Sequence, residues 1–458
     1  MREWHLFRGI AAIASMLFFF QSDMIAEGGW KAGVARARIT PDESMWLAGY
    51  GSRTNASQGK IHDLWIKALA LEDANGRRAV VLASDLLGFP RNMSDPICAA
   101  LRDLHGLERE RVMLSASHTH SAPVLRGALY DIYPLDDAQR AKIEGYSARL
   151  ERIVIDTIGT AISRLRPASL AFSQGSCGFA ANRRENKEAD VVALRAAGQP
   201  TKGPSDHDVP ILTVRDSDGQ MMALVFGYAC HNTTLSGYEW CGDYAGFAQI
   251  GLESRHPGAQ AMFVAGCGAD QNPIPRRTVE YCEEYGKALA VAVDDAVKKG
   301  EKQIAARIKT AFEWVTLDFQ QPLDRKDLET AAGKGGYEAR WARRLLAELD
   351  SGKKMETAYR YPVQVWKLGT DRIWIALGGE VVVDYALKFK KGHGGETWVT
   401  GYANDVMAYI PSKRIWQEGR YEAGAFTVYG LPTRAWCEDI EERISSSVER
   451  LIARTNSK

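Results

Sequence analysis

The sequence carries no excess of charge of either sign: 58 Lys and Arg stand against 57 Asp and Glu. With acids and bases interspersed, there is no basic footprint for nucleic acid and no acidic tail. Cysteine is sparse and odd in number, seven in 458 residues, with no Cys-x-x-Cys. A disulfide framework is therefore not the organising principle, although one or two bridges are compatible with an oxidising compartment. Internal repeats, low-complexity runs and Pro/Ser-rich linkers are absent, which leaves one large domain as the economical reading. The short signatures of familiar enzyme classes are missing too: no GxSxG elbow, no HExxH, no GxxxxGK[ST] loop and no complete GxGxxG.

What is present starts with the N-terminus. Arg2 and Arg8 precede an apolar run of twelve residues, Gly9 to Phe20, followed by small and polar residues. The run is short for a bilayer span, and no cysteine follows where a lipoprotein signal needs one. We expect residues 1–26 to be a signal peptide and the mature chain, 30–458, to be periplasmic or secreted. Further along, β-rich apolar runs at 78–84, 111–117, 222–229, 261–265 and 372–377 alternate with helical spacing near 137–165, 243–255, 277–299, 336–351 and 433–453. This pattern predicts an α/β (α+β) fold with mixed sheets flanked by helices.

The strand-like runs end in polar or glycine-rich clusters: Asp85, then His118 and His120, His231, the stretch Gly266–Pro273, and Glu380. Functional groups collect at strand ends because the rigid sheet holds the loop starts in place. These residues are thus predicted to share one crevice. Only nine histidines exist, and three of them stand at such positions. In extended chain, residues i and i+2 face the same way, so His118 and His120 can address one centre. Neutral imidazoles, one carboxylate and an open position are what catalytic zinc uses to acidify a bound water. Glu380 is the carboxylate that pairs with them; single satisfied loop histidines are the alternative.

With those residues in view, the chain resembles the neutral/alkaline non-lysosomal ceramidase family, in its N-terminal catalytic domain. "GVARARITP" (33–41), "LAGYGSR" (47–53), "SASHTHSAP" (115–123), "NRR" (182–184), "ACHNTTLSG" (229–237), "GDYAGFAQIGLE" (242–253), "AGCGADQNP" (265–273), "LGGE" (377–380) and "GYANDVMAYIPSKRIWQEGRYEAG" (401–424) come in the family's order. The resemblance implies a zinc-dependent amidohydrolase acting on an N-acyl amide, a small molecule or a lipid, with peripheral membrane contact and no nucleic acid. It implies His118, His231, Glu380 and Tyr409 as zinc ligands, with Tyr402 as the competitor for the tyrosine position. A phenol ligand, with a reference pKa of about 10, needs the metal to ionise it. His120 falls on a histidine that faces the substrate, and Arg183 on an arginine that contacts its head or carbonyl. Asp243 is a candidate for support behind the ligands.

One departure shapes the expected mechanism. Typical members carry Gly-Asp-Val-Ser-Pro-Asn where this chain reads Gly268-Ala269-Asp270-Gln271-Asn272-Pro273. Gln271 stands at the serine's place and the aspartate is displaced to Asp270, so a serine-centred route does not transfer. We expect direct attack by water without an acyl-enzyme, Asp270 or His120 accepting the proton and Gln271 orienting the carbonyl. We also expect the catalytic domain alone, without the immunoglobulin-like domain of typical members. A metal-dependent esterase and a catalytically silent binding protein are the competing functions.

Overall fold

The structure, a computed structural model, describes residues 29–320 and 323–457, so the expected signal peptide lies outside the described residues. In Trp30–Arg38 (β1) Trp30 and Ala32 are buried while Lys31, Arg36 and Arg38 are exposed, the alternation of a half-covered strand. Trp65–Glu72 (β2), Arg78–Ser84 (β3) and Val112–Ala116 (β4) are instead buried almost without interruption, because both of their faces are covered. Arg166–Ser176 (β5), Asp208–Asp216 (β6), Met221–Tyr228 (β7), Gln260–Ala265 (β8) and Lys302–Ile304 (β9) complete a mixed sheet. Its order is β8-β7-β6-β5-β1-β2-β3-β4, with β9 on β5. Only the two outer pairs, β7 with β8 and β3 with β4, are parallel.

The sheet curls until its edges approach each other. Lys67 Nζ on β2 reaches the Ala261 carbonyl on β8 at 2.8 Å, and Gln260 Nε2 on β8 reaches the Ala68 carbonyl at 3.2 Å. Arg91–His105 (α1) and Asp137–Ser163 (α2) cover one half, packing Met93, Ile97, Leu150 and Val154 against Val80, Leu82 and Leu114. Asp243–Arg255 (α3) and Val279–Lys299 (α4) cover the other, with Leu252 and Leu289 on Phe226 and Phe263.

A second sheet, Ile308–Asp318 (β10), Ala358–Leu368 (β11), Arg372–Leu377 (β12) and Trp398–Thr400 (β13), runs in that order and packs Trp366, Trp374 and Trp398 on the large sheet. Between β10 and β11 the chain makes a helical hairpin, Arg325–Ala332 (α5) and Gly336–Asp350 (α6), with a small core of its own. Ile440–Asn456 (α7) lies on β10 and β11.

After β13 the segment 401–404 bonds to both edges of the large sheet. Gly401 N donates to the Ala265 carbonyl at 3.1 Å, and Asn404 N donates to the Leu114 carbonyl at 2.6 Å. Tyr402 and Asn404 take left-handed φ values of 52° and 68° to make this connection. Mixed sheets flanked by helices are what the sequence predicts. The helix expected over 433–453 begins only at Ile440. The reason is Trp436, which is buried in the core and donates its indole N–H to the Tyr409 carbonyl at 2.9 Å.

Candidate metal centre

The site forms where the loops after β4 and β7 meet the strand pair Glu380–Val381 and Tyr409–Ile410. Thr119 bridges Asn232, which brings the two histidine loops side by side. Glu380 and Tyr409 are direct register partners on parallel strands, so their side chains leave from the same face. His118 is not extended as the i, i+2 argument assumes; its φ is 61°. The bend still delivers it, because His118 Nε2 and His120 Nε2 are 3.2 Å apart. Among the described residues, His118, His120 and His231 form a group whose ligand atoms all lie within 4.8 Å of one another.

The donor set can be read chemically. His118 Nδ1 is 2.7 Å from the Leu87 carbonyl, and His231 Nδ1 is 2.7 Å from the Gly268 carbonyl. A carbonyl only accepts, so each Nδ1 carries the hydrogen and each neutral ring presents a bare Nε2. Burial pushes His231 down to about 4, outweighing Glu380, so the ring is neutral. Yet His231 Nε2 lies 3.0 Å and His118 Nε2 3.2 Å from Glu380 Oε2. Lone pairs facing one another at that separation in a buried site repel unless a cation lies among them. The two nitrogens and the carboxylate oxygen are hard-to-borderline donors of the kind zinc takes, and the carbonyl bonds behind the imidazoles are the usual means of fixing the ligand tautomer.

Around this centre the structure places the other predicted residues unevenly. His120 is buried on a backbone bond from its N–H to the Asn232 carbonyl at 3.3 Å. Its Nδ1 has no partner, and burial drives the ring well below its ordinary value. Gly49 has to be glycine here, since its φ is 104° and a Cβ would come within 2.4 Å of the His120 ring. Tyr409 is buried, and its hydroxyl takes a bond from Arg183 Nη2 at 3.3 Å. Burial first, then the Glu380 charge, hold its phenol well above the usual value, with Arg183 opposing. Tyr402 packs its ring 4.3 Å from His118, with its hydroxyl buried and unpartnered. Arg183 lies over Tyr409 and Tyr421 and binds Glu422 Oε1 at 2.8 Å, with 20% of its side chain exposed.

The side chains of Asp270 and Gln271 spend their hydrogen bonds away from the histidines. Asp270 Oδ1 accepts from Val383 N at 2.9 Å and Oδ2 from Asn182 Nδ2 at 3.0 Å. Burial pushes this carboxyl up to about 6. Gln271 Oε1 accepts from Asp206 N at 3.2 Å, and its Nε2 donates to the Ala229 carbonyl at 2.5 Å. Both side chains are wholly enclosed, and both residues reach the site through their carbonyls, which bond Arg183 N at 2.8 Å and His231 N at 3.0 Å. Asp243 takes three backbone N–H groups, of Thr234, Leu235 and Tyr244, and so shapes the loop after His231. Asp85 belongs to a separate buried network with Trp65 N and Gln249. One functional contact escapes the sequence reading: the Tyr429 hydroxyl donates to Glu380 Oε1. Tyr429 lies in a four-residue helical turn just past the last family motif, and no spacing rule points to it.

The fold has counterparts among solved ceramidases. A structure described as a ceramidase complexed with C2 superposes with a TM-score of 0.68 at 17% identity, covering 93% of this chain and 76% of that one. The neutral ceramidase of Pseudomonas aeruginosa superposes with a TM-score of 0.67 at 20% identity, covering 93% and 75%. In sequence, the neutral ceramidase of that organism is 24% identical over 217 residues, which are 45% of this chain but only 31% of that protein. The family model for neutral/alkaline non-lysosomal ceramidase, N-terminal, matches residues 30–273, more than half of the chain. The chain belongs to this family.

Proposed function

We propose that the protein is an exported zinc-dependent hydrolase that cleaves an N-acyl amide, ceramide-like or another N-acyl lipid, with water as the nucleophile. The observation that carries this reading is the bare Nε2 atoms of His118 and His231 turned on Glu380 Oε2 at 3.2 and 3.0 Å. His118, His231 and Glu380 would hold the ion, with Tyr409 as the fourth donor, since it is the register partner of Glu380. When bound, zinc supplies a Lewis acid and a water acidified to near neutral pH.

The chain's own residues do the rest. His120, neutral and with a free ring nitrogen, is the proton acceptor nearest the ligand cluster. Arg183, held by Glu422 and partly open, orients the acyl carbonyl or the head group. Asp270 and Gln271 act through their carbonyls, fixing Arg183 and the His231 backbone. With an enclosed glutamine at 271 rather than a hydroxyl, no side chain there can form an acyl-enzyme. Export rests on the N-terminal charge and apolar pattern; among the described residues, no helix is long and apolar enough to cross a membrane.

The test joins metal analysis to a substrate panel. The purified protein should carry one zinc per chain, lose hydrolysis on chelation and regain it with zinc. N-acyl sphingosines, N-acyl amino acids and simple esters should rank with an amide first. A chelated protein of undiminished activity would refute the zinc reading, and preference for esters would replace the amidase by an esterase.

A further inference from the structure

Glu380 uses its two oxygens differently. Oε2 faces the two imidazoles, while Oε1 takes the Tyr429 hydroxyl. A buried carboxylate on a two-residue strand has room to turn unless both oxygens are occupied, and the phenol occupies the second. Tyr429 serves as the donor there, because a carboxylate oxygen can only accept and the phenol carries the hydrogen.

What holds Tyr429 is helix α6, from outside the site. Arg344 Nη2 donates to the Gly430 carbonyl at 2.6 Å, and Trp341 Nε1 donates to the Leu431 carbonyl at 3.0 Å. Gly430 has a φ of 79°, and a Cβ there would meet Arg344 Nη2 at 3.1 Å and Asp131 Oδ2 at 3.2 Å. Only glycine lets the guanidinium seat against this carbonyl. The same helix grips the segment downstream of the histidine motif. Arg344 Nε binds Asp131 Oδ2 at 2.9 Å, and Arg340 binds the Asp131 and Ile132 carbonyls at 2.8 Å each. The hairpin thus clips the Tyr429 turn to the segment that follows the His118–His120 loop.

We propose that Tyr429 is a positioning residue for the Glu380 carboxylate and that helix α6, through Arg344 and Trp341, sets zinc affinity by fixing Tyr429. The inference rests on the zinc reading above. Residues that orient metal ligands typically alter affinity by about 10–100-fold when changed. Residues that act along one route are non-additive when changed together.

The experiment is competition for zinc against a chromophoric chelator, with the melting temperature of metal-free protein as a control on folding. Tyr429→Phe keeps the ring and removes only the hydroxyl; it should weaken zinc binding about 10–100-fold, while the metal-free protein still unfolds in one cooperative step with a melting temperature lowered by no more than the loss of one buried hydrogen bond accounts for. Arg344→Gln should weaken binding several-fold in the wild-type background and have no further effect in the Tyr429→Phe background. Trp341→Phe is the second remote variant, with the same expected pattern, should Arg344→Gln fail to fold. Wild-type affinity in Tyr429→Phe overturns the inference. So does a loss from Arg344→Gln of equal size in both backgrounds, since the hairpin would then act by another route. Wild-type protein that binds no zinc would overturn the metal reading itself, and that outcome is visible before any variant is made.

Discussion

Gln271 is where a side chain's identity and its surroundings point in different directions. Its place in the chain corresponds to a reactive serine in typical family members, which suggests a role on the reacting carbonyl. The surroundings are those of a wall residue, with the amide spent on Asp206 N and the Ala229 carbonyl in full enclosure. Gln271→Ala should therefore cost about 2–3 kcal/mol of unfolding free energy, from two buried polar groups left unpaired. Denaturant unfolding of the metal-free protein measures this, and kcat of the folded variant should fall less than tenfold. A loss of about 10²–10³ in kcat with unchanged stability would place the amide on the substrate instead. The same contrast explains which residues the sequence reveals. His118, His231 and Glu380 are legible because each follows an apolar run that the sheet holds rigid. Tyr429 is not, because a hydroxyl at the end of a four-residue turn leaves no periodic trace.

Among the elements, the segment 401–404 does most to assemble the site, since it bonds the Leu114 end of β4 and the Ala265 end of β8 together. The residue next to it, Asp405, anchors it. Its Oδ2 takes Tyr359 Oη at 2.7 Å and Arg91 Nη2 at 3.0 Å, and its carbonyl takes Gly379 N at 2.7 Å. Burial pushes the Asp405 carboxyl up to about 6 against the opposing pull of Arg91 and Tyr359. An acid whose folded value exceeds its unfolded one, about 3.9, favours the fold most while protonated. Its contribution is full at low pH and declines as pH rises through 6. Asp405→Asn should accordingly destabilise more at pH 5 than at pH 7, the gap narrowing by about 1 kcal/mol, as read from urea unfolding of both proteins. A constant gap would show that the carboxyl is ionised throughout. The runs at 78–84 and 372–377 are legible as strands because they are short and β-branched, and they appear as β3 and β12. β1, β5 and β10 mix buried alanines with charged or polar exposed positions, and that weaker alternation hides them. The hairpin α5–α6 is half legible: α6 shows its helical spacing, while nothing in the sequence tells what it grips.

For the whole molecule, curling of the large sheet is the decisive feature. Along the strand order, β4 and β8 stand at opposite ends. A flat sheet would separate the loop after β4 from the chain that follows β8. Closure brings them within reach of one connecting segment and creates a buried polar centre that no linear reading of strand order reveals. Sequence spacing predicted a shared crevice; the curl is the physical reason it exists. On the function proposed above, this closure serves to hold a single zinc ion on His118, His231 and Glu380. X-ray absorption at the zinc edge, on protein purified with stoichiometric metal, tests it most directly. Zinc on these ligands should give nitrogen and oxygen scatterers at about 2.0–2.2 Å, with imidazole outer-shell features lost stepwise in His118→Ala and His231→Ala. A sulfur shell at about 2.3 Å, or spectra unchanged by either substitution, would contradict it.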